Sequence, residues 1–99
     1  MDDFSYDVER DGDAVTIRVR GEWDMDATFR VEQDLDAAIA SAGQVTLDLS
    51  AVTFMDSTAL GAFLNVRSRA KDRAVPLTVV PGPPNVQHLF EVAGIPATG

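Results

Sequence analysis

The chain has 99 residues, 45% of them hydrophobic, and its 16 acidic residues against 8 basic ones give a formal net charge of −8. This length and composition predict one globular domain over residues 1–99 and exclude a largely disordered chain. The acidic balance disfavours direct binding to nucleic acid or to an anionic membrane, because both require a basic protein surface.

The sequence disfavours three further classes of structure. It contains no cysteine, which excludes disulfides and thiolate chemistry. It contains no run of about 18 apolar residues, so we expect no membrane insertion. The N-terminal stretch MDDFSYDVERDGD is acidic where a secretory signal would be basic and then apolar. We therefore expect a cytoplasmic protein.

The first two predicted elements form an antiparallel hairpin. Apolar and polar residues alternate over residues 4–9 and again over residues 15–20, which is the two-residue period of a β-strand. Asp11-Gly12-Asp13 lies between the two runs and is typical of a turn, since glycine adopts positive φ readily. The apolar members of the two runs are Phe4, Tyr6, Val8, Val15, Ile17 and Val19.

A helix is predicted next. Gly21-Glu22-Trp23-Asp24 ends the hairpin, and we expect the helix to begin near Asp24 or Asp26, because acidic residues in a first turn complement the helix dipole. An apolar stripe at helical spacing follows, and Gly43 is a suitable C-terminal stop. The stripe consists of Met25, Thr28, Val31, Leu35, Ala38, Ile39 and Ala42.

The stretch over residues 45–71 changes its hydrophobic period from that of a strand to that of a helix. Apolar and polar residues alternate over residues 45–49, and helical spacing begins at Leu60. Asp56-Ser57-Thr58 lies between the two patterns and has the small polar residues that cap helix starts. This arrangement predicts that the Ser57 hydroxyl lies at or beside a helix N-terminus, near the surface. The predicted helical stripe is Leu60, Phe63, Leu64, Arg67 and Ala70.

The last predicted elements are a short strand over Val75–Val80 and a helix that begins at Pro84 and ends at Gly94. The order β-β-α-β-α-β-α predicts an α/β domain with a four-stranded mixed sheet, antiparallel at its start and parallel afterwards. Arg18 and Arg20 alternate with apolar residues, so we expect one sheet face to be partly exposed and the helices to pack mainly on the other. Residues 95–99 carry no clear signal.

Three segments of the chain resemble the STAS domain family, in particular its anti-sigma factor antagonists. LDLSAVTFMDSTALGAFL, residues 47–64, resembles the family's signature. Gly21-Glu22-Trp23-Asp24 resembles the run that ends its second strand, and residues 85–95 resemble its last core helix. The three matches occur in the family's order and span most of the chain, so the resemblance implies a single STAS-like domain.

The resemblance implies a switch controlled by phosphorylation. In the family, an unphosphorylated antagonist binds an anti-sigma factor that is a serine kinase, which frees the sigma factor. The kinase then phosphorylates the serine that follows the signature aspartate, the complex dissociates, and a serine phosphatase resets the antagonist. By position, the acceptor here is Ser57, and Asp24, Asp56 and Thr58 are expected beside it on the partner-binding surface. The domain itself would need no cofactor.

Several of these residues also have a simpler structural interpretation. Without the family resemblance, Asp56-Ser57-Thr58 fits an N-cap worth about 1 kcal/mol better than it fits a phosphorylation site, and Thr58 is a second candidate acceptor. Asp24 and Asp26 fit helix N-terminal charge better than a metal site, and we expect no metal.

Two other residues, Trp23 and His88, have a functional interpretation, but a structural or surface position is expected for each. Trp23 is expected to pack at the end of the hairpin, with a partly exposed partner anchor as the alternative. His88 is expected on the surface, and no nucleophile pattern accompanies it. No catalytic residue is predicted, so the sequence favours a non-enzyme.

Two alternative functions remain open from the sequence. STAS domains also serve as accessory subunits of membrane transporters, including lipid-trafficking ABC systems, where the domain would dock on an ATPase. A nucleotide-binding STAS domain is the other alternative, but the Gly-x-x-x-x-Gly-Lys pattern of phosphate-binding loops is missing around Gly82.

Overall fold

A computed structural model describes residues 4–94, and its elements follow the predicted order β-β-α-β-α-β-α. Their bounds are β1 Ser5–Asp11, β2 Ala14–Trp23, α1 Met25–Ser41, β3 Gln44–Met55, α2 Ser57–Asp72, β4 Leu77–Val80 and α3 Pro84–Val92. Ile95 and the tail after it, where the third family-like segment ends, lie outside the described residues. None of the helices within residues 4–94 combines the length and apolarity needed to span a bilayer.

The predicted mixed sheet is confirmed, with strand order β1-β2-β3-β4. β1 pairs antiparallel with β2, whereas β2–β3 and β3–β4 pair in parallel. Both parallel crossovers step in the same direction across the sheet, so right-handed connections place α1 and α2 on the same face. α3 joins them there, because its Phe90 ring stacks on Phe63 of α2 with the centroids 5.1 Å apart. The prediction that the helices cover one face is therefore confirmed.

The core lies between this covered face and the helices. Its largest fully buried side chains include Trp23, Phe63, Ile17, Leu35, Leu47 and Leu49. The opposite face carries charged pairs instead: Arg18 binds Glu9 and lies near Asp48, and Arg20 binds Asp7. All of these except Asp48 are exposed, so the pairs contribute little to stability.

β1 is tied to α1 by a tyrosine. The Tyr6 hydroxyl donates a hydrogen bond to Asp34 Oδ2 at 2.6 Å. This bond, together with partial burial, raises the pKa of Tyr6 above its usual range, because the neutral hydroxyl is the form that can donate. The contact holds the edge strand against the helix layer.

β3 is longer than its alternating pattern predicted. The alternation ends at Leu49, yet the strand runs on to Met55. β2 pairs along the whole extension, with register shifts between Arg18 and Arg20 and between Gly21 and Glu22. Such irregularities break the two-residue period, so the strand's second half carries no alternation to detect. The extension brings β3 to its end directly before Asp56.

The predicted buried stripe of α2 was wrong by about one residue. Phe63 and Ala70 are buried as predicted, but Leu64 is 38% exposed, Arg67 is exposed and Leu60 is only partly buried. The predicted stripe and the observed one have the same helical period. The observed stripe contains three alanines, whose small side chains let α2 pack closely against the sheet and α1. The buried residues of α2 are Ala59, Ala62, Phe63, Val66 and Ala70.

Candidate functional site

Two helices begin side by side at the ends of the two central strands. Trp23, the last residue of β2, pairs with Met55, the last residue of β3, and the Asp56 amide donates to the Trp23 carbonyl at 3.4 Å. In each strand the next residue is an aspartate, Asp24 or Asp56, and a helix starts immediately after it. The parallel pairing therefore brings the two aspartates to neighbouring positions on one edge of the sheet.

Asp56 is the N-cap of α2. Its backbone is extended, with φ −94° and ψ 178°, and its Oδ1 accepts a hydrogen bond from the Ala59 amide at 2.8 Å. Its carbonyl accepts the Leu60 amide at 3.0 Å, which is the first bond of the helix. The predicted capping role of Asp56 is confirmed, and the bond fixes the carboxylate beside the next residue, Ser57.

Asp24 holds the start of α1 in the same way. Its Oδ1 accepts the Ala27 amide at 3.3 Å, and its carbonyl accepts both the amide and the hydroxyl of Thr28, at 3.1 and 2.8 Å. Both Asp24 and Asp56 are half-buried. The chain therefore places two carboxylates and two helix N-termini within one small area.

Ser57 is the first residue of α2, and its side chain is exposed. Thr58, the second residue, is exposed as well, whereas Ala59 is buried. A helix N-terminus carries partial positive charge and amide donors, which favour an anionic group placed there. The site thus presents an accessible hydroxyl at the electropositive end of a helix. The structure brings together Asp24, Asp56, Ser57 and Thr58, all four residues predicted for the site.

Two exposed aromatic side chains lie near this edge, and no sequence pattern predicts them. Phe54 is 47% exposed and comes two residues before Asp56. Phe29, in the second turn of α1, is 67% exposed. It lies one turn before Glu32, whose carboxylate contacts Arg69 of α2 at 3.2 Å, so Phe29 is on the side of α1 that faces α2. Neither position breaks a sequence pattern, so periodicity gave no signal for them.

Trp23 and His88 have structural and surface positions, respectively. Trp23 is 0% exposed, so the alternative of a partly exposed partner anchor was wrong. Its indole N–H has no hydrogen-bond acceptor among the described residues. His88 is exposed, as predicted. Trp23 therefore packs in the core next to Asp24 and is not available to a partner.

We expect Asp56→Ala to lower the free energy of unfolding by about 1 kcal/mol, because the Ala59 amide loses its acceptor. Asp56→Asn keeps an acceptor oxygen at the cap and should retain most of the stability. Urea denaturation of both variants measures the difference. Equal losses in the two variants would show that the carboxylate charge, and not the capping bond, stabilises the start of α2.

Comparison with known proteins places the chain in a family. Residues 6–97 match the family profile described as "Mlab, STAS domain". The chain is 33% identical over 88 residues to an anti-sigma-B factor antagonist of Listeria monocytogenes, an alignment that covers 88% of this chain and 77% of the relative.

Solved structures share the fold. An anti-sigma factor antagonist from Mycobacterium paratuberculosis matches with a TM-score of 0.82 and 26% identity, covering 92% of this chain and 78% of that one. Unphosphorylated SpoIIAA matches with a TM-score of 0.82 at 22% identity, over 92% of this chain and 82% of that one. The phosphorylated form of the Bacillus protein SpoIIAA matches with a TM-score of 0.78 at 21% identity, over 92% and 85%. On the profile match and the Listeria alignment, the chain belongs to the STAS domain family.

Proposed function

We propose that this chain is an anti-sigma factor antagonist whose binding is switched off by phosphorylation of Ser57. In the unphosphorylated state it binds an anti-sigma factor and frees the sigma factor. The observation that carries the proposal is the exposed Ser57 hydroxyl at the first position of α2, beside the capping carboxylate of Asp56. The similarity to the Listeria antagonist supports the same function.

Phosphorylation at this position adds about −1.5 to −2 charges and three acceptor oxygens. Within the domain, the α2 N-terminus offsets that charge, so the fold is preserved. A partner packed on Ser57 would instead face a bulky dianion next to Asp24 and Asp56. Like charges placed together at an interface cost several kcal/mol, which is enough to release a docked protein.

The comparison with SpoIIAA supports a surface switch over an unfolding one. The chain superimposes on both the unphosphorylated and the phosphorylated form of that protein, with TM-scores of 0.82 and 0.78. That protein therefore has the same fold in either state. Because α2 begins at Ser57, we expect this chain also to keep its fold when Ser57 carries a phosphate.

The proposed cycle needs two further proteins and no cofactor held by this chain. The anti-sigma factor would be a serine kinase that uses ATP, and a serine phosphatase would restore the Ser57 hydroxyl. The chain itself would act as a regulatory binding protein without a catalytic site. It would work in the cytoplasm, where sigma factors meet RNA polymerase.

Phosphate transfer is the direct test. Incubation with ATP and each candidate anti-sigma factor kinase of the same organism should label the chain on Ser57, as mapped by mass spectrometry. Ser57→Ala should abolish the label, and Thr58→Ala, the matched neighbour, should keep it. Label on Thr58, or on neither residue with any kinase, would contradict the proposed acceptor.

The transporter alternative predicts a different result. An accessory subunit would co-purify with a transporter ATPase and would need no label on Ser57. The similar proteins from Listeria monocytogenes and Mycobacterium paratuberculosis are antagonists, so the comparisons do not favour this alternative.

A further inference from the structure

The exposed side of α2 becomes basic toward its C-terminal end, although the chain has a net charge of −8. Arg67, Lys71 and Arg73 are all exposed, and within residues 4–94 none of them takes part in an ion pair. Arg69, between them in sequence, is by contrast bound to two carboxylates of α1. The helix dipole favours cations in the last turn, but Arg67 lies before that turn. Neither an ion pair nor the helix dipole therefore accounts for a positive charge at Arg67.

Arg67 and Lys71 line a shallow depression of about 160 Å³ together with Leu64 and Ser68. Leu64 is one of the exposed large apolar side chains. Protein–protein contacts combine apolar side chains with charged ones, arginine above all. The depression has the chemistry of a docking surface for a segment that carries both an apolar side chain and acidic groups.

Ser57 lies on the same face of α2 as the depression. Ser57, Gly61, Leu64 and Ser68 are spaced by three or four residues, so they share that face. A Cβ added at Gly61 would meet no atom within 4 Å, so no packing inside the domain requires a glycine there. A glycine inside a helix costs about 1 kcal/mol relative to alanine. The open space above Gly61 instead lets another chain approach the helix backbone closely.

We propose that Arg67 and Lys71 receive an acidic segment of the anti-sigma factor that docks over Ser57, with an apolar side chain of that segment seated at Gly61 and Leu64. This inference rests on the proposed function and adds the chemistry and the orientation of the partner. One end of the docking face, beside Asp24, is acidic, and the other end is basic. A partner with the complementary charges is held in one direction along α2.

The basic end is independent of the switch. Arg67 lies ten residues after Ser57, about 15 Å along the helix axis. That separation exceeds the Debye length of about 8 Å at physiological ionic strength, so a phosphate on Ser57 leaves the cations available. Arg67 and Lys71 therefore set the strength and orientation of docking, while Ser57 decides whether the partner remains bound.

The test compares two double charge reversals with the same net charge. Arg67→Glu/Lys71→Glu removes the proposed contact. Arg10→Glu/Arg30→Glu is the control on the β1 side of the domain, where Arg10 Nη2 donates to Ser41 Oγ at 3.4 Å and Arg30 lies 6.0 Å from the centre of the Phe4 ring. Binding to each purified anti-sigma factor of the same organism is measured by calorimetry at low and at high ionic strength. Circular dichroism checks that both variants are folded.

We expect the Arg67→Glu/Lys71→Glu variant to bind at least about tenfold more weakly and the control to lose less than about threefold. Rising salt should weaken the wild-type complex more than the variant complex, because only the wild type has the cations to be screened. Equal losses in the two variants, or full binding by the first, would overturn the inference. If Ser57→Glu abolishes binding while Arg67→Glu/Lys71→Glu binds as tightly as the wild type, the proposed function stands and the basic contact is refuted. If the wild-type chain binds no anti-sigma factor, both fail.

Discussion

Ser57→Glu should weaken binding to the anti-sigma factor by about a hundredfold while leaving the domain at least as stable as the wild type. The loss follows from covering a new carboxylate with the docked partner, beside Asp24 and Asp56, which cannot neutralise it. Burying an unpaired charge costs several kcal/mol, and about 2.7 kcal/mol is a hundredfold in affinity. The gain in stability follows from the helix dipole, since an acidic residue in the first turn contributes about 0.3–1 kcal/mol. Binding and stability should therefore change in opposite directions.

Calorimetric titration and thermal unfolding of the same preparation measure the two effects. Ser57→Gln is the matched control, because it has the size of glutamate without the charge, and it separates the steric from the electrostatic part of the block. The phosphorylated wild type should bind more weakly than Ser57→Glu, since phosphate carries more charge than a carboxylate. A Ser57→Glu variant that binds weakly only because its melting temperature has fallen would show that the switch acts through unfolding.

The sequence was sufficient to predict the local chemistry of the site. Asp56-Ser57-Thr58 lies where a strand pattern gives way to a helix pattern, and capping rules place the serine at the helix start. That Asp24 lies close to Asp56 and Ser57 could be predicted only from the family resemblance. Periodicity contains no information on strand register, and the pairing of Trp23 with Met55 is what brings the two caps together.

The orientation of α2 about its own axis could not be predicted from its sequence. Leucine is larger and more hydrophobic than alanine, so the sequence predicts that Leu60 and Leu64 are buried. In the structure Ala59 and Ala62 are the buried pair instead. The choice depends on how closely α2 must approach the sheet and α1, which is a property of tertiary packing. The same rotation turns Leu64 outward and creates the exposed face that begins at Ser57.

The sequence of α2 also could not predict which of its basic residues form ion pairs. The run from Arg67 to Arg73 is visible in the sequence as alternating basic residues. Which of them is neutralised depends on the neighbouring helix, and only Arg69 reaches the carboxylates of Glu32 and Asp36. A surface that is free to bind a partner therefore becomes recognisable only once α1 is placed beside α2.

Phe63→Ala should cost about 3–5 kcal/mol of unfolding free energy, a large share of the 5–15 kcal/mol that holds a typical domain together. The Phe63 ring is 1% exposed and stacks on Phe90, so its removal leaves a cavity between α2 and α3 and ends the contact that fastens α3. Leu64→Ala is the matched control one residue further along the helix. Leu64 is 38% exposed, so its truncation should cost only about 1 kcal/mol.

Urea denaturation followed by the fluorescence of Trp23, the single tryptophan, measures both losses. Trp23 is fully buried, so its emission shifts when the core opens. In binding experiments, by contrast, Leu64→Ala should weaken the complex with the anti-sigma factor, because Leu64 belongs to the proposed docking face. Similar stability losses in the two variants would mean that α2 is rotated toward the orientation that periodicity alone predicts, and Leu64 would then be unavailable to a partner.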